Sequence, residues 1–236
     1  MVRIIKTDNG QELIFEYAAG VLDEARQFMV DAHRRMNEQC KADIGLCEDI
    51  GGYLLNKDCN ATAMSPSARD NMRSLLDDLS AHDERDPAPQ QEKQQCVTTV
   101  DMLKSLGLSG ELIEHLERAC RTGCNRSSWS KYTPAIQFVN VDLACRKSRM
   151  RLVRVAAGTQ IPAHSHRGEE ITLVLKGRME DEYGAYEAGD LIVREDGEMH
   201  APHIGAKEDF ICLALTSRPV RMKCVVRRTF NIFFRF

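Results

Sequence analysis

The residues best spaced for chemistry lie in one stretch, Gly158 to Gly177, GTQIPAHSHRGEEITLVLKG. Within it His164, His166 and Glu170 stand as H-x-H-x-x-x-E. Ile171, Leu173 and Leu175 alternate behind them, so the segment reads as a loop feeding a strand that ends in a turn. Successive side chains on a strand point to opposite faces. His164 and His166 therefore project the same way, and Glu170 joins them if the extended geometry persists. Two imidazoles and a carboxylate converging inside a barrel make a site for a divalent metal. Glu169 falls on the other face of the strand and reads as solvated.

A second stretch, GDLIVREDGEMH, places Gly189, Glu195, Gly197 and His200 in a fixed pattern. The two stretches, in this order, resemble the paired signatures of the cupin superfamily. The first matches at Gly158, His164, His166, Glu170 and Gly177; the second matches at Gly189, Gly197 and His200, with Glu195 where a proline is usual. The resemblance implies a small β-barrel in which His164, His166, Glu170 and His200 bind one metal. Three nitrogens and a carboxylate suit zinc first, with iron, manganese or nickel as alternatives. An open coordination position in such a site activates water or dioxygen, but fold alone does not assign that activity. His203 reads as a loop histidine, and Glu195 as a residue of the rim.

The rest of the chain must position this site. Its 236 residues can hold one large domain or two modest ones, and with 43% apolar and 28% charged residues it is an ordinary globular protein. A net charge of −3 argues against a nucleic-acid binder working by bulk charge. No apolar run approaches the roughly 20 residues that span a bilayer, and MVRIIKTDNGQELIF lacks the apolar core of a signal peptide. The reading is a cytoplasmic protein whose nine cysteines are thiols or metal ligands, not a disulfide framework. Cys120 and Cys124, beside Arg118, Arg121 and Arg126, read as ordinary loop cysteines in preference to a redox pair.

Apolar periodicity predicts four helices over 11–79. The first carries Phe15, Ala18, Ala19 and Leu22. Asp23 opens a second that runs through Cys40 with Phe28, Ala32 and Met36 on one stripe. A third spans about Ile44 to Leu55, weakened by Gly45, Gly51 and Gly52. Ser65-Pro66 starts a fourth, 67–80, with Met72, Leu75, Leu76 and Leu79. The polar segment HDERDPAPQQEKQQ, with Pro87 and Pro89, then reads as a linker. Beyond it come two short helices split at Gly107, and from Trp129 onward period-two runs: IQFVNVDL, RMRLVRV, ITLVLKG, DLIVRE, FICLAL and VRMKCVV. Many short strands without long helices between them indicate an antiparallel barrel or sandwich. The expected organisation is α+β, a helical bundle over 1–80, a linker over 81–97 and a barrel of cupin or jelly-roll type over 98–236. The aromatic end, FNIFFRF, is expected to pack on the barrel or on a partner.

The whole chain also resembles the ChrR family of anti-sigma factors. Tyr17-Ala18-Ala19-Gly20 before an acidic helix start, His33, the Trp129 segment and HSHRGEEITLVLKG carry the resemblance. It implies N-terminal helices that bind an extracytoplasmic-function (ECF) sigma factor around a zinc held by an upstream histidine and H-x-x-x-C-x-x-C. Here His33 and Cys40 match the outer positions, Asn37 replaces the middle cysteine, and Asp8 stands roughly where the upstream histidine would be. Asp8, His33 and Cys40, with Cys47, are the candidates left for a second zinc, and a neutral amide is a poor zinc ligand. The expectation is a helical unit that packs without that zinc, with His33 exposed, Cys40 buried, and apolar faces around Phe15, Phe28, Leu54 and Leu75.

The implied function is a non-enzymatic transcription regulator of the stress-response type. The helices clamp the sigma factor and the metal-binding cupin senses an oxidative or small-molecule signal; the family responds to singlet oxygen or organic peroxide. The alternatives are a metal-dependent cupin dioxygenase with a helical accessory domain, and a helical unit that serves as a homodimer contact.

Overall fold

The computed structural model describes residues 8–58, 64–83, 104, 110, 112–114, 116, 129–141, 148–217 and 220–222. Four helices come first: α1 (Asp8–Ala18), α2 (Glu24–Arg34), α3 (Glu38–Asp58) and α4 (Pro66–Asp83). Asp23 caps α2, its carboxylate accepting the backbone N–H of Ala25 and Arg26 at 3.0 Å each. Ser65 caps α4 in the same way, its Oγ accepting from the Ala68 N–H at 3.2 Å.

The second helix does not run through Cys40. It ends at Arg34 because Asn37 begins a new one, its Oδ1 accepting from the N–H groups of Gln39 (3.0 Å) and Cys40 (3.1 Å). A short amide that bonds nearby backbone favours a cap over a helix interior. α3 then continues without a break through Gly45, Gly51 and Gly52. The described residues of the later helical stretch, Lys104, Gly110, 112–114 and Leu116, are helical, with Leu112, Ile113 and Leu116 buried. Cys120, Cys124, the segment 84–97 and the aromatic C-terminus lie outside the described residues.

The strands are β1 (Ser130–Thr133), β2 (Ile136–Val141), β3 (Arg149–Val155), β4 (His164–His166), β5 (Glu170–Lys176), β6 (Arg178–Asp181), β7 (Gly184–Glu187), β8 (Leu191–Arg194), β9 (His203–Ile204), β10 (Phe210–Thr216) and β11 (Val220–Met222). They pair antiparallel as a six-stranded sheet in the order β1-β2-β3-β10-β5-β8, a three-stranded sheet β7-β6-β9 and a pair β11-β4. Each of the six period-two runs contributes a strand over its described residues. Sequence reading missed β1, β4, β6, β7 and β9, which are two to four residues long. At Gly177, between β5 and β6, φ is 80° and an added Cβ would lie 2.7 Å from the Asp209 carbonyl oxygen, so only glycine fits.

Strands β5, β8 and β10 of the six-stranded sheet are buried on both faces. Ile171, Leu173, Leu191, Val193, Leu213 and Leu215 point outward into a core shared with α1, α2 and α3. Val174, Ile192, Phe210 and Cys212 point into the barrel. α1, α2 and α3 pack on one another as the expected small bundle and at the same time share their core with the sheet. Ala25, Phe28, Met29 and Ala32 of α2 are all buried in that core. Phe15, Leu54 and Leu75, expected among its apolar contacts, are 59%, 52% and 63% exposed, and no described side chain of α4 enters it. α1 contacts the sheet at β8, and α2 contacts it at β5 and β10.

Two polar contacts stitch this seam. Arg26 of α2 pairs with Glu169 at 2.9 Å, so Glu169 is half-buried in an ion pair and not solvated. Asn37 donates through Nδ2 to the Gly189 carbonyl at 3.4 Å, and Gly189 (φ 91°) sits against the Met36 carbonyl where a Cβ would press at 3.4 Å.

His33 is fully buried, not exposed, and its ring nitrogens make no well-formed hydrogen bond, with the Gly189 backbone as their polar neighbour. Burial lowers its pKa from 6.5 to about 4, against a smaller opposing effect of the Gly189 backbone. The folded protein thus holds His33 neutral while the unfolded chain protonates it below pH 6.5. Stability is lost as the pH falls from about 6.5 towards 4, by up to about 3 kcal/mol from this one group. Urea unfolding between pH 7 and 4 is expected to show a shallower acid loss in His33→Leu than in the wild type. Equal slopes would contradict the assignment.

Candidate metal centre

The three histidines converge because two backbone segments are tied together. β4 carries His164 and His166 two residues apart, so both rings leave the same face. The chain returning at His200 bonds to β4 reciprocally, His164 N–H to the His200 carbonyl and His200 N–H to the His164 carbonyl, each at 2.9 Å. β11 holds the other edge of β4, with Val220 opposite His166 and Met222 opposite His164. The Gly197 N–H donates to the His166 carbonyl at 3.1 Å, which fixes the turn leading to His200.

The ring centroids of His164, His166 and His200 lie 4.3 to 5.6 Å apart, and one nitrogen from each falls within 4.8 Å of the others. Glu170 enters from β5, its Oε2 3.1 Å from His166 Nε2 and 4.0 Å from His200 Nε2. All three histidines are buried. The four residues singled out by spacing are therefore brought together at one point. The short strand β4 stands where sequence suggested a loop.

The donor set fits a cation. His164 Nδ1 lies 2.9 Å from the Pro162 carbonyl, which can only accept, so Nδ1 carries the proton and Nε2 keeps its lone pair. Both nitrogens of His166 and Nε2 of His200 are buried without a hydrogen-bond partner, and His200 Nδ1 faces the Asp181 carboxylate at 3.4 Å. Burial, with the neighbouring His200, lowers the pKa of His164 and His166 from 6.5 to about 4, which leaves neutral imidazoles, the metal-binding form. Burial pushes the Glu170 carboxyl up, against His200, His164 and Arg194. A divalent ion would satisfy the orphaned nitrogens and reverse that shift. Among the described residues His164, His166 and His200 form the one group of three or more such side chains spaced to hold an ion, and Glu170 lies beside it.

A supporting residue lies outside both sequence signatures. Asp181, at the end of β6, has a fully buried side chain whose Oδ2 is 3.4 Å from His200 Nδ1 and accepts from Arg194 Nη2 at 2.8 Å. Its Oδ1 accepts the N–H groups of Tyr183 (2.9 Å) and Gly184 (3.1 Å), closing the β6–β7 turn. Burial alone would raise its pKa, but His200 and Arg194 outweigh that and hold the carboxyl well below the usual range. Arg194 also donates to the Tyr186 hydroxyl at 2.6 Å. An Asx turn, D-x-x-G, was visible in EDEYGA, but nothing local tied it to His200.

Above the ligands a cavity of about 170 Å³ extends through the barrel, walled by Ile136, Val153, Val155, Ile161, Ile192 and Phe210. Cys212 lines it as well, its thiol kept protonated because burial raises the pKa. Glu195 is exposed on the turn before His200, and His203 is exposed on β9 away from the cluster.

The N-terminal candidates are not assembled in this way. His33 and Cys40 are both buried in the shared core, and burial drives the Cys40 thiol up to about 12, away from the thiolate a metal requires. Cys47 is partly buried further along α3. Asp8 opens α1, and its side chain is outside the described residues. No third described ligand joins His33 and Cys40.

Comparison with known proteins agrees with this architecture. Residues 118–220 match the ChrR cupin-like domain. The chain is 28% identical over 223 residues, 94% of its length and 95% of the relative, to the anti-sigma-E factor ChrR of Cereibacter sphaeroides. Its fold is similar to ChrR in the crystal structure of Rhodobacter sphaeroides SigE with the anti-sigma ChrR, with a TM-score of 0.62 and 24% identity. That match covers 92% of this chain and 99% of the other.

Histidines that lose an orienting carboxylate lose metal affinity by about tenfold or more. Asp181→Asn is therefore expected to weaken zinc binding by about that factor in competition with a chromophoric chelator, at unchanged stoichiometry. Glu169→Gln, on the opposite face of the sheet, is expected to leave the affinity unchanged.

Proposed function

We propose that this chain, whose barrel belongs to the ChrR cupin-like family, is an anti-sigma regulator that binds an ECF sigma factor through its N-terminal helices. The observation that carries this reading is the likeness to an anti-sigma factor along 94% of the chain, helices as well as barrel. The cupin, holding one divalent metal on His164, His166, Glu170 and His200, serves as the sensor of an oxidative or small-molecule signal. Zinc is the first choice of metal for that donor set. Its proposed place of action is the cytoplasm; no described helix is long and apolar enough to cross a membrane.

Two features of the packing support the division of labour. The second half of α3 and the face of α4 leave Ile50, Tyr53, Leu54, Met72, Leu75 and Leu76 about half or more exposed. An apolar surface of this kind on a protein that already has a core marks a docking face. The strands that wall the metal cavity are also the strands on which α1 and α2 sit, and Glu169 binds Arg26 next to the ligand Glu170. A ligand that prefers one arrangement of the sheet biases the helices by its differential affinity for the two arrangements.

A second reading, a metal-dependent oxygenase, draws on the open cavity above the histidines. Oxygen uptake by the iron(II)-loaded protein would favour it.

Co-expression with an ECF sigma factor encoded in the same genome neighbourhood is expected to yield a stable complex. Leu54→Asp and Leu75→Asp, both at exposed sites, should weaken it by about tenfold or more without lowering the thermal midpoint. A sigma factor that binds neither the full chain nor its helices would sink the proposal.

A further inference from the structure

The cavity above the metal ligands is chemically one-sided, and that restricts what can enter it. Most of its polar groups gather at one end with Glu170 and the three histidines, including Thr216, which lies opposite Glu170 in the β5–β10 pairing, and Thr172, two residues further along β5; Tyr132 and Arg151 are the polar lining residues outside that group. Arg194 and Asp181 line that end too, but they are engaged with each other, with Tyr186 and with His200. The far wall is built from Ile136, Val155, Ile161 and Phe210, which offer no hydrogen bond. Arg151, at one edge, stacks over the rings of Tyr132 and Phe138 and donates to Asn140.

Size narrows the choice further. A dry apolar cavity of roughly 150 Å³ accepts benzene, and this one, at about 170 Å³, is of the same order. A polar molecule filling it would surrender its hydrogen bonds to water along the apolar wall. A ring or short branched chain would instead gain from leaving water.

We propose that the cavity binds a small, largely apolar molecule, about the size of one ring, that presents a single oxygen-donor head to the metal. The inference rests on the reading that His164, His166, Glu170 and His200 hold a divalent ion, and it specifies the ligand of that same site. Ala214, on β10 beside Thr172, faces the cavity, and a larger side chain there competes with the apolar part of the ligand but not with its head.

The test uses the full chain loaded with cobalt(II), whose visible spectrum reports on its ligands, titrated with acetohydroxamate and benzohydroxamate. These share one metal-binding head and differ in apolar bulk. Benzohydroxamate is expected to bind roughly tenfold tighter or more. Ala214→Phe should remove that preference while leaving cobalt stoichiometry and acetohydroxamate binding unchanged. A short series of straight-chain hydroxamates on the wild type, rising in affinity and then falling once the chain outgrows the cavity, gives the same answer without a substitution. Equal affinities for the two heads in cobalt-loaded protein would overturn the ligand class alone. Failure to take up one equivalent of cobalt would overturn the metal reading and this inference with it.

Discussion

Side chains alternate across β5, β8 and β10, and in this protein both sides of those strands are dry. Every inward residue must suit the barrel and every outward residue must suit the helices, with no solvent face to absorb a mismatch. On β5 the inward set is Glu170, Thr172 and Val174, and the outward set is Ile171, Leu173 and Leu175. This double burial fixes the register firmly. It also ties the helical segment to the barrel: α1, α2 and α3 pack on one another and share their core with the sheet, while the described side chains of α4 and of the end of α3 stay outside it.

Within the barrel, the dominant problem is polar groups without water. Three imidazoles and a carboxylate meet in a space where both ring nitrogens of His166 and Nε2 of His200 have no hydrogen-bond partner. Unsatisfied buried groups are costly, and a bound cation would satisfy them. Asp181 and Arg194 form a second, self-neutralising pair beside it, and Tyr186 completes the bonding of the guanidinium. The hairpin that bears Asp181 is thereby part of the site although it contributes no ligand.

How much of this was legible in the sequence depended on whether the signal was local. Asp23 and Ser65 announced their helices because a cap acts within three residues. The long strands were visible because apolar alternation persists over six or seven residues. His164, His166, Glu170 and His200 were found because their spacing is itself the signal. Asn37 was misjudged: read only as a lost zinc ligand, it is the cap that divides α2 from α3 and a donor to Gly189. The β6–β7 hairpin, RMED and GAYE, has too little apolar periodicity to betray strands. Asp181 meets His200 only through the fold. The depth of His33 and the exposure of Leu54 and Leu75 follow from which surface the helices chose, a choice made by the barrel and not by the helical segment.

Positions 169 and 170 carry the same amino acid, and yet one binds an arginine of α2 while the other faces three histidines. Composition gives no reason for the difference; parity along the strand does. A chemical label for either glutamate is really a statement about which side of a pleat it occupies, and it would be exchanged, not erased, by sliding β5 one residue. The apolar residues that follow make such a slide prohibitive, since it would turn Ile171, Leu173 and Leu175 into the cavity together. The aliphatic run is thus what tells two identical carboxylates apart, and a change of Leu173 can rewrite the metal chemistry without touching a ligand.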